Sequence, residues 1–253
     1  GQERSELHRT IWSIANDLRG SVDGWDFKQY VLGMLFYRYI SENLTIYINQ
    51  AEIEAGDTNF DYSKISDNAA EKIRVDLVST KGFFILPSEL FQNVKNYAAQ
   101  DENLNIKLET IFKNIESSAQ GSNSEDNFKG LFDDIDPNSN KLGGTVAKRN
   151  ERLVKLMNGI GDMKLGGFQD NTIDAFGDAY EYLMGMYASN AGKSGGEYYT
   201  PQEVSELLTR LTLVGKTEVN KVYDPACGSG SLLLKFAKIL GKENVRQGFF
   251  GQE

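Results

Sequence analysis

The stretch Asp224-Pro225-Ala226-Cys227-Gly228-Ser229-Gly230-Ser231 is spaced for ligand chemistry. It follows the apolar run Val219 to Tyr223, which reads as a short strand, and precedes Leu232-Leu233-Leu234, which opens a helix. A strand therefore ends at Asp224, a turn of small residues follows, and a helix starts near Ser231. Gly228 and Gly230 carry no Cβ, so a ligand can approach the backbone. The first N–H groups of the new helix have no partner within it and point at whatever sits above the strand end. Three ligand classes use such a turn. A nucleoside triphosphate needs Lys-Ser or Lys-Thr after the last glycine, and Ser231-Leu232 stands there. A dinucleotide fingerprint needs a third glycine where Leu233 stands, which weakens that class without removing it. The third class is S-adenosyl-L-methionine, whose ammonium suits Asp224 and whose carboxylate suits open amides. Taken singly, the acid could be a turn cap and the glycines mere turn geometry. Their combined order favours a cofactor.

A second acid should lie at the end of the next strand, about 20 residues past the glycine turn, to hold ribose hydroxyls. Gly248-Phe249-Phe250-Gly251-Gln252-Glu253 supplies Glu253, with Gly251 keeping the strand end open. The other informative stretch is Gly195-Gly196-Glu197-Tyr198-Tyr199-Thr200-Pro201-Gln202-Glu203. Thr200 as N-cap, Pro201 at the first helical position and Glu203 as a capping-box partner would start any helix. Val204, Leu207, Leu208 and Leu211 are then expected to bury one face. Two adjacent tyrosines behind a Gly-Gly entry could also wall an adenosyl pocket.

The elements that position these residues divide into two grammars. Up to residue 165 the chain reads as helices. Leu7, Ile11, Ile14 and Leu18 recur at helical spacing. After Gly20 and Gly24 a helix carries Phe27, Tyr30, Val31, Met34 and Leu35, continuing through Tyr39, Ile40, Leu44 and Ile48. It is apolar around much of its circumference and belongs at the centre of a bundle. Arg38 within it reads as a snorkelling or ion-paired side chain. Shorter helices are expected over 68–79 and 88–99, parted by Gly82 and Pro87. Leu104, Leu108, Ile111, Phe112 and Ile115 give another stripe, 117–127 is a loop, and Asp133, Asp134 and Asp136 before Pro137 mark a turn. A helix over 145–158 carries Lys148, Arg149, Arg152 and Lys155, which read as a solvated face before they read as a phosphate contact. The glycines at 159, 161, 166 and 167 mark a domain boundary. Ile173, Phe176, Tyr180, Leu183 and Tyr187 form the stripe of a connecting helix, ended by Gly192, Gly195 and Gly196. From there helix and strand alternate: a helix over 201–214, the strand to Tyr223, a helix over 231–240, and a second strand around Phe249 and Phe250. That is the first βαβ unit of a doubly wound sheet, cut off before it closes.

Bulk properties narrow the classes. The chain has 253 residues and a net charge of -9, so it lacks the basic footprint of a protein that grips duplex DNA alone. One Cys and one His exclude an internal disulfide and make a structural zinc site implausible. No apolar run is long enough to span a bilayer and the first residues lack a secretory pattern, so no membrane partner and a cytoplasmic location are expected. Cys227 lacks the Pro-Cys context of a cytosine-methylating nucleophile and reads as a small buried residue. His8 is given no role.

Glu197 to Pro201, Asp224 to Leu233 and Gly251 to Glu253, together with Leu35-Phe36-Tyr37-Arg38-Tyr39-Ile40-Ser41-Glu42, resemble the modification (methyltransferase) subunit of type I restriction-modification systems. The resemblance covers essentially the whole chain. It implies a helical N-terminal domain over 1–165, then a connecting helix and the start of a class I methyltransferase sheet, Rossmann-like and doubly wound, over 166–253. It implies S-adenosyl-L-methionine as cofactor, held by Glu197, Tyr198, Tyr199, Thr200, Pro201, Gln202, Asp224, Gly228, Ser229, Gly230, Ser231 and Glu253. The reaction implied is methylation of the N6 amine of adenine flipped out of double-stranded DNA. The partners implied are a specificity subunit, a restriction subunit and a second modification subunit.

The Asn-Pro-Pro-Phe or Asn-Pro-Pro-Tyr motif that holds the base in that family does not occur here. The four prolines stand at 87, 137, 201 and 225. The chain is thus expected to be the front portion of such a subunit, with no catalytic residue of its own and no activity alone. Two other classes stay open: a non-catalytic assembly or DNA-clamping module, and a class I methyltransferase acting on RNA or protein. A dehydrogenase is the distant remainder.

Overall fold

The structure is a computed structural model and describes residues 8–14, 24–164, 200, 202–228 and 230–252. The chain divides into two compact units, Gly1–Leu183 and Met184–Glu253.

In the first unit every described regular element is helical. Residues 8–14 form α1. The 31-residue α2, Gly24–Glu54, is the axis of the unit. Tyr30, Val31, Met34, Leu35, Tyr37, Ile40, Leu44 and Ile48 are buried along it, and Ser41 with them. Helices then pack against it from more than one side, as expected for a helix apolar around most of its girth. The helices that follow are α3 (Asp67–Glu71), α4 (Arg74–Lys81), α5 (Phe91–Tyr97), α6 (Leu104–Ser118), the single turn α7 (Glu125–Phe128) and α8 (Val146–Asp162), and of these α5 and α8 share the main contacts with α2. The Tyr37 ring meets Phe91 and Phe112 edge-on at 5.4 and 5.5 Å, and Phe112 stacks on Phe132 at 4.4 Å. Such pairs contribute beyond their buried area. The Tyr37 hydroxyl donates to the Glu89 carbonyl, and Ser41 Oγ accepts from the Phe91 amide, so α2 caps the start of α5, where Leu90 has no side chain able to do so.

Three expectations are corrected here. The helix expected over 68–79 is two, parted at Lys72 and Ile73, whose amides bond back three residues to Ala69 and Ala70. The loop expected over 117–127 is shorter at both ends, because α6 runs to Ser118 and α7 begins at Glu125. Gly159 and Gly161 are not linker residues: α8 runs through both to Asp162. A Cβ at Gly159 would lie 2.4 Å from the Ile14 side chain, and one at Gly161 2.4 Å from that of Lys95. Their smallness serves packing within the helix rather than freedom after it. The stripes on α6 and the turn at Asp133 to Pro137 are as expected, and Leu104, Leu108, Ile111, Phe112 and Ile115 are all buried. The expected connecting helix and the boundary near 165 lie outside the described residues.

The second unit contains α9 (Gln202–Thr212), β1 (Val222–Asp224), α10 (Ser231–Leu240) and β2 (Phe249–Gly251). The strands pair in parallel, Val222 with Phe249, Tyr223 with Phe250 and Asp224 with Gly251, and α10 makes the crossover. A parallel pair joined by a helix is the βαβ unit. The expected strand start at Val219 is only an isolated bridge to Val245. Val222, Phe236 and Val245 form the core, flanked by Leu213, Val219, Leu232, Leu233, Leu240 and Phe249.

The face of α9 is the reverse of the expected one. Ser205 and Thr209 are fully buried, while Leu207 is 57% and Leu211 61% exposed. Val204 and Leu208 are exposed as well. Thr209 Oγ1 donates to the Ser205 carbonyl, which satisfies the hydroxyl without a partner from another element. Small side chains at this spacing let α9 pack on α10, with which it shares its main contact.

Candidate cofactor site

Parallel strands place their carboxyl ends side by side, so the turn after β1 and the end of β2 meet at one edge of the unit. The turn is built by backbone bonds. Asp224 Oδ1 accepts from the Ala226 amide at 3.1 Å, and the Gly230 amide donates to the Cys227 carbonyl at 2.7 Å. Gly228 has φ +51° and Gly230 φ +79°, backbone that side chains rarely tolerate. Around both, the space a Cβ would occupy is open. Gly230 is also the residue before α10 and has no side chain to cap it, so no side chain at that position takes the first amides of that ten-residue helix. Among the described residues, only the Ala226 amide bonds the half-buried Asp224 carboxylate, and it does so at Oδ1.

The end of β2 is tied to that turn. The Gln252 amide donates to the Asp224 carbonyl, and the Cys227 amide donates to the Gln252 carbonyl, each at 2.9 Å. The Tyr223 hydroxyl donates to Gln252 Oε1 at 2.7 Å. The position that follows Gln252 is Glu253.

Of the expected site residues, Asp224, Gly228, Gly230 and Ser231 are thus gathered at one edge. Thr200 is exposed and precedes α9, and Gln202 is the first residue of that helix. Glu197, Tyr198, Tyr199, Pro201, Ser229 and Glu253 lie outside the described residues. Cys227 is half-buried rather than buried, and its sulfur rests beside Gly251. Gln252 and Tyr223 escape sequence reasoning, because a backbone tie leaves no trace in residue type. The described residues hold no metal-ligand cluster.

The basic run on α8 is partly turned to internal use, while Lys148 and Lys155 stay on its exposed face. Arg149 donates to the Gly143 carbonyl at 2.8 Å and to Asn140 Oδ1 at 2.5 Å, Arg152 donates to the Leu142 carbonyl, and Lys155 pairs with Glu151. The loop before the helix takes two of the four charges. Arg38 is ion-paired with Glu42, as its setting suggested, and also binds the Ile160 and Met163 carbonyls at 2.6 and 2.9 Å. No helix among the described residues is long and apolar enough to cross a membrane.

This geometry has close relatives. Residues 7–160 match the family model described as HsdM N-terminal domain, and residues 171–253 match that described as N-6 DNA Methylase. The whole chain is 48% identical to 48% of the type I restriction enzyme MpnII methylase subunit of Mycoplasma pneumoniae. It is 23% identical, over 95% of its length, to 40% of the MjaIX methylase subunit of Methanocaldococcus jannaschii. Among solved structures, the type I restriction-modification system methyltransferase subunit from Streptococcus thermophilus superposes with a TM-score of 0.77 at 29% identity, over 99% of this chain and 52% of that one. The chain spans about half the length of these relatives. With its helical unit matched from residue 7 to residue 160 and its βαβ unit falling in the methylase match, the chain belongs to the HsdM family of type I restriction-enzyme methylase subunits.

Proposed function

We propose that the chain is the part of a type I modification subunit that binds S-adenosyl-L-methionine, and that the whole subunit transfers its methyl group to the N6 amine of adenine in double-stranded DNA. The observation that carries this is the turn between β1 and α10: two left-handed glycines with open space beside them, a helix start without a side-chain cap, and an acid bonded among the described residues at Oδ1 only. That donor set fits a zwitterion. The α10 amides would take the carboxylate and Asp224 the ammonium, while Glu253 would take ribose hydroxyls and Glu197 to Gln202 would wall the adenosyl group. When bound, the cofactor supplies an electrophilic methyl on sulfonium. What this chain's residues contribute is binding and orientation.

The two strands are the beginning of a doubly wound sheet in this reading, and residues 1–165 and 166–253 are its two domains. Tyr223 and Phe250, side by side in the register, are exposed on the face away from the buried Val222. A groove of about 750 Å³ runs along β1, lined by Leu208, Leu213 and Phe236. Both are surfaces that further strands and helices of such a sheet would cover. Reading of the target falls to a specificity subunit, which accords with the net charge of -9. A restriction subunit and a second modification subunit complete the proposed assembly.

The test is calorimetric titration of S-adenosyl-L-methionine and of NAD into the full-length subunit, followed by methyl transfer to DNA with the specificity subunit present. Preferential binding of S-adenosyl-L-methionine and methylation of adenine are expected, with no transfer by the 253-residue chain alone, which lacks the base-holding motif. Tighter binding of NAD, or methylation of RNA or protein in place of DNA, would refute the reading.

A further inference from the structure

Gly251 ends β2 opposite Asp224 and has no need of unusual backbone, since its φ does not lie in the left-handed region. Its smallness has another cause. A Cβ built there would stand 2.7 Å from Cys227 Sγ, 3.1 Å from Cys227 Cβ and 3.2 Å from Leu233 Cδ1. Two of those atoms could swing away, but Cys227 Cβ is fixed to the turn backbone, so relief requires the turn itself to move. The turn is also bonded to the next residue along β2, by the Cys227 amide to the Gln252 carbonyl and the Gln252 amide to the Asp224 carbonyl. The Tyr223 hydroxyl on Gln252 Oε1 closes a third link on the exposed side. Backbone bonds set how far the turn stands from β2 along the ladder, and the Cys227–Gly251 contact sets how closely it lies upon it.

We propose that Gly251 is a positioning residue for the cofactor site, which by lacking a Cβ lets Cys227 seat on β2 and so fixes the turn carrying Gly228 and Gly230 relative to the strand end leading to Glu253. This rests on the cofactor reading given above. The two halves of that site, zwitterion and ribose, come from different strands, and one ligand must meet both. An error of a few tenths of an ångström in their spacing is therefore felt as affinity, because both halves must be met at once. The part of Cys227 is steric. It needs neither reactivity nor a proton.

A double-mutant cycle on the full-length subunit tests this, with S-adenosyl-L-methionine as the calorimetric probe. G251A is expected to weaken binding about tenfold, whereas in the C227G background the same change costs less than about threefold, because the blocking Cβ has gone along with the sulfur. The C227V variant crowds the contact from the other side and is expected to weaken binding in the same direction, so the proposal stays open to test should G251A fold poorly. In the assembled complex, kcat at saturating cofactor should hold while the cofactor KM rises. A general loss of structure would lower both. Undiminished affinity in both G251A and C227V, or an equal penalty for G251A in both backgrounds, overturns the proposal. Failure of the underlying cofactor reading would show separately, in the unaltered subunit, as an absence of binding.

Discussion

Asp224 does two jobs that one substitution can separate. Its Oδ1 caps the turn through the Ala226 amide, and its charge is the feature proposed to meet the cofactor ammonium. Asparagine keeps the cap and removes the charge. Asp224→Asn in the full-length subunit is expected to leave the melting temperature within a degree or two and weaken S-adenosyl-L-methionine binding by about tenfold or more. Equal affinity by calorimetry would assign Asp224 to turn geometry alone. Glu89 shows the opposite case, a carboxylate whose charge has no use. Burial raises its pKa above the ordinary 4.5, and Asp67 adds to the rise, while the Asn114 amide and Arg74 pull it back. A group with a raised pKa in the folded state favours folding only while protonated. That contribution is complete below pH 4.5 and is lost as pH climbs through the raised value. Glu89→Gln should thus match the parent at pH 4 and melt a few degrees higher at pH 7. Melting curves across that range would discard the assignment if the difference grew towards acid.

Among the elements, α2 and α8 are joined by a cation. The Arg38 side chain is 12% exposed and binds Glu42 together with the carbonyls of Ile160, which also accepts from the Met163 amide, and of Met163, just past the end of α8. Arg38→Met keeps the stem and strips the donors. It is expected to lower stability by about 2 kcal/mol, read from urea unfolding, because buried acceptors lose their partner. Lysine, with one nitrogen for three acceptors, should recover only part. A loss below about 0.5 kcal/mol would show that water serves those carbonyls equally well. How far elements were legible in the sequence depended on whether local or distant forces fixed them. The bounds of α10 are as expected because Gly230 and Gly241 bracket its leucines. The stripe on α6 is as expected because one periodicity faces one core. The face of α9 was illegible, since leucine spacing tells which residues share a face but not which face α10 covers. Gly159 and Gly161 were misread for a related reason: glycine signals a break locally, and only the arrival of Ile14 and Lys95 makes it a packing residue. In the candidate site, the strand–acid–glycine–helix order was legible, being consecutive in sequence. The Cys227–Gly251 contact and the Gln252 ties were not, because they depend on the pairing of β1 with β2.

For the molecule as a whole, the two units differ in how far they close their own cores. In the first, Tyr37, Phe91, Leu104, Leu108 and Ile111 are each at most 1% exposed, and rings from four stretches of chain meet in a row, Phe91 on Tyr37, Tyr37 on Phe112 and Phe112 on Phe132. In the second, the buried apolar core among the described residues is Val222, Phe236 and Val245, the sheet has two strands, and the apolar face of α9 is exposed. Two strands and a few buried side chains offset little of the entropy lost on ordering them. Expressed apart, residues 1–183 should therefore unfold cooperatively in urea with sharp near-ultraviolet dichroism. Residues 184–253 should lack a cooperative transition. The helical unit then orders by itself, whereas the two strands alone do not secure the order of the turn between β1 and α10. A sharp transition in residues 184–253 alone would show that two strands and their few buried side chains suffice to order that unit.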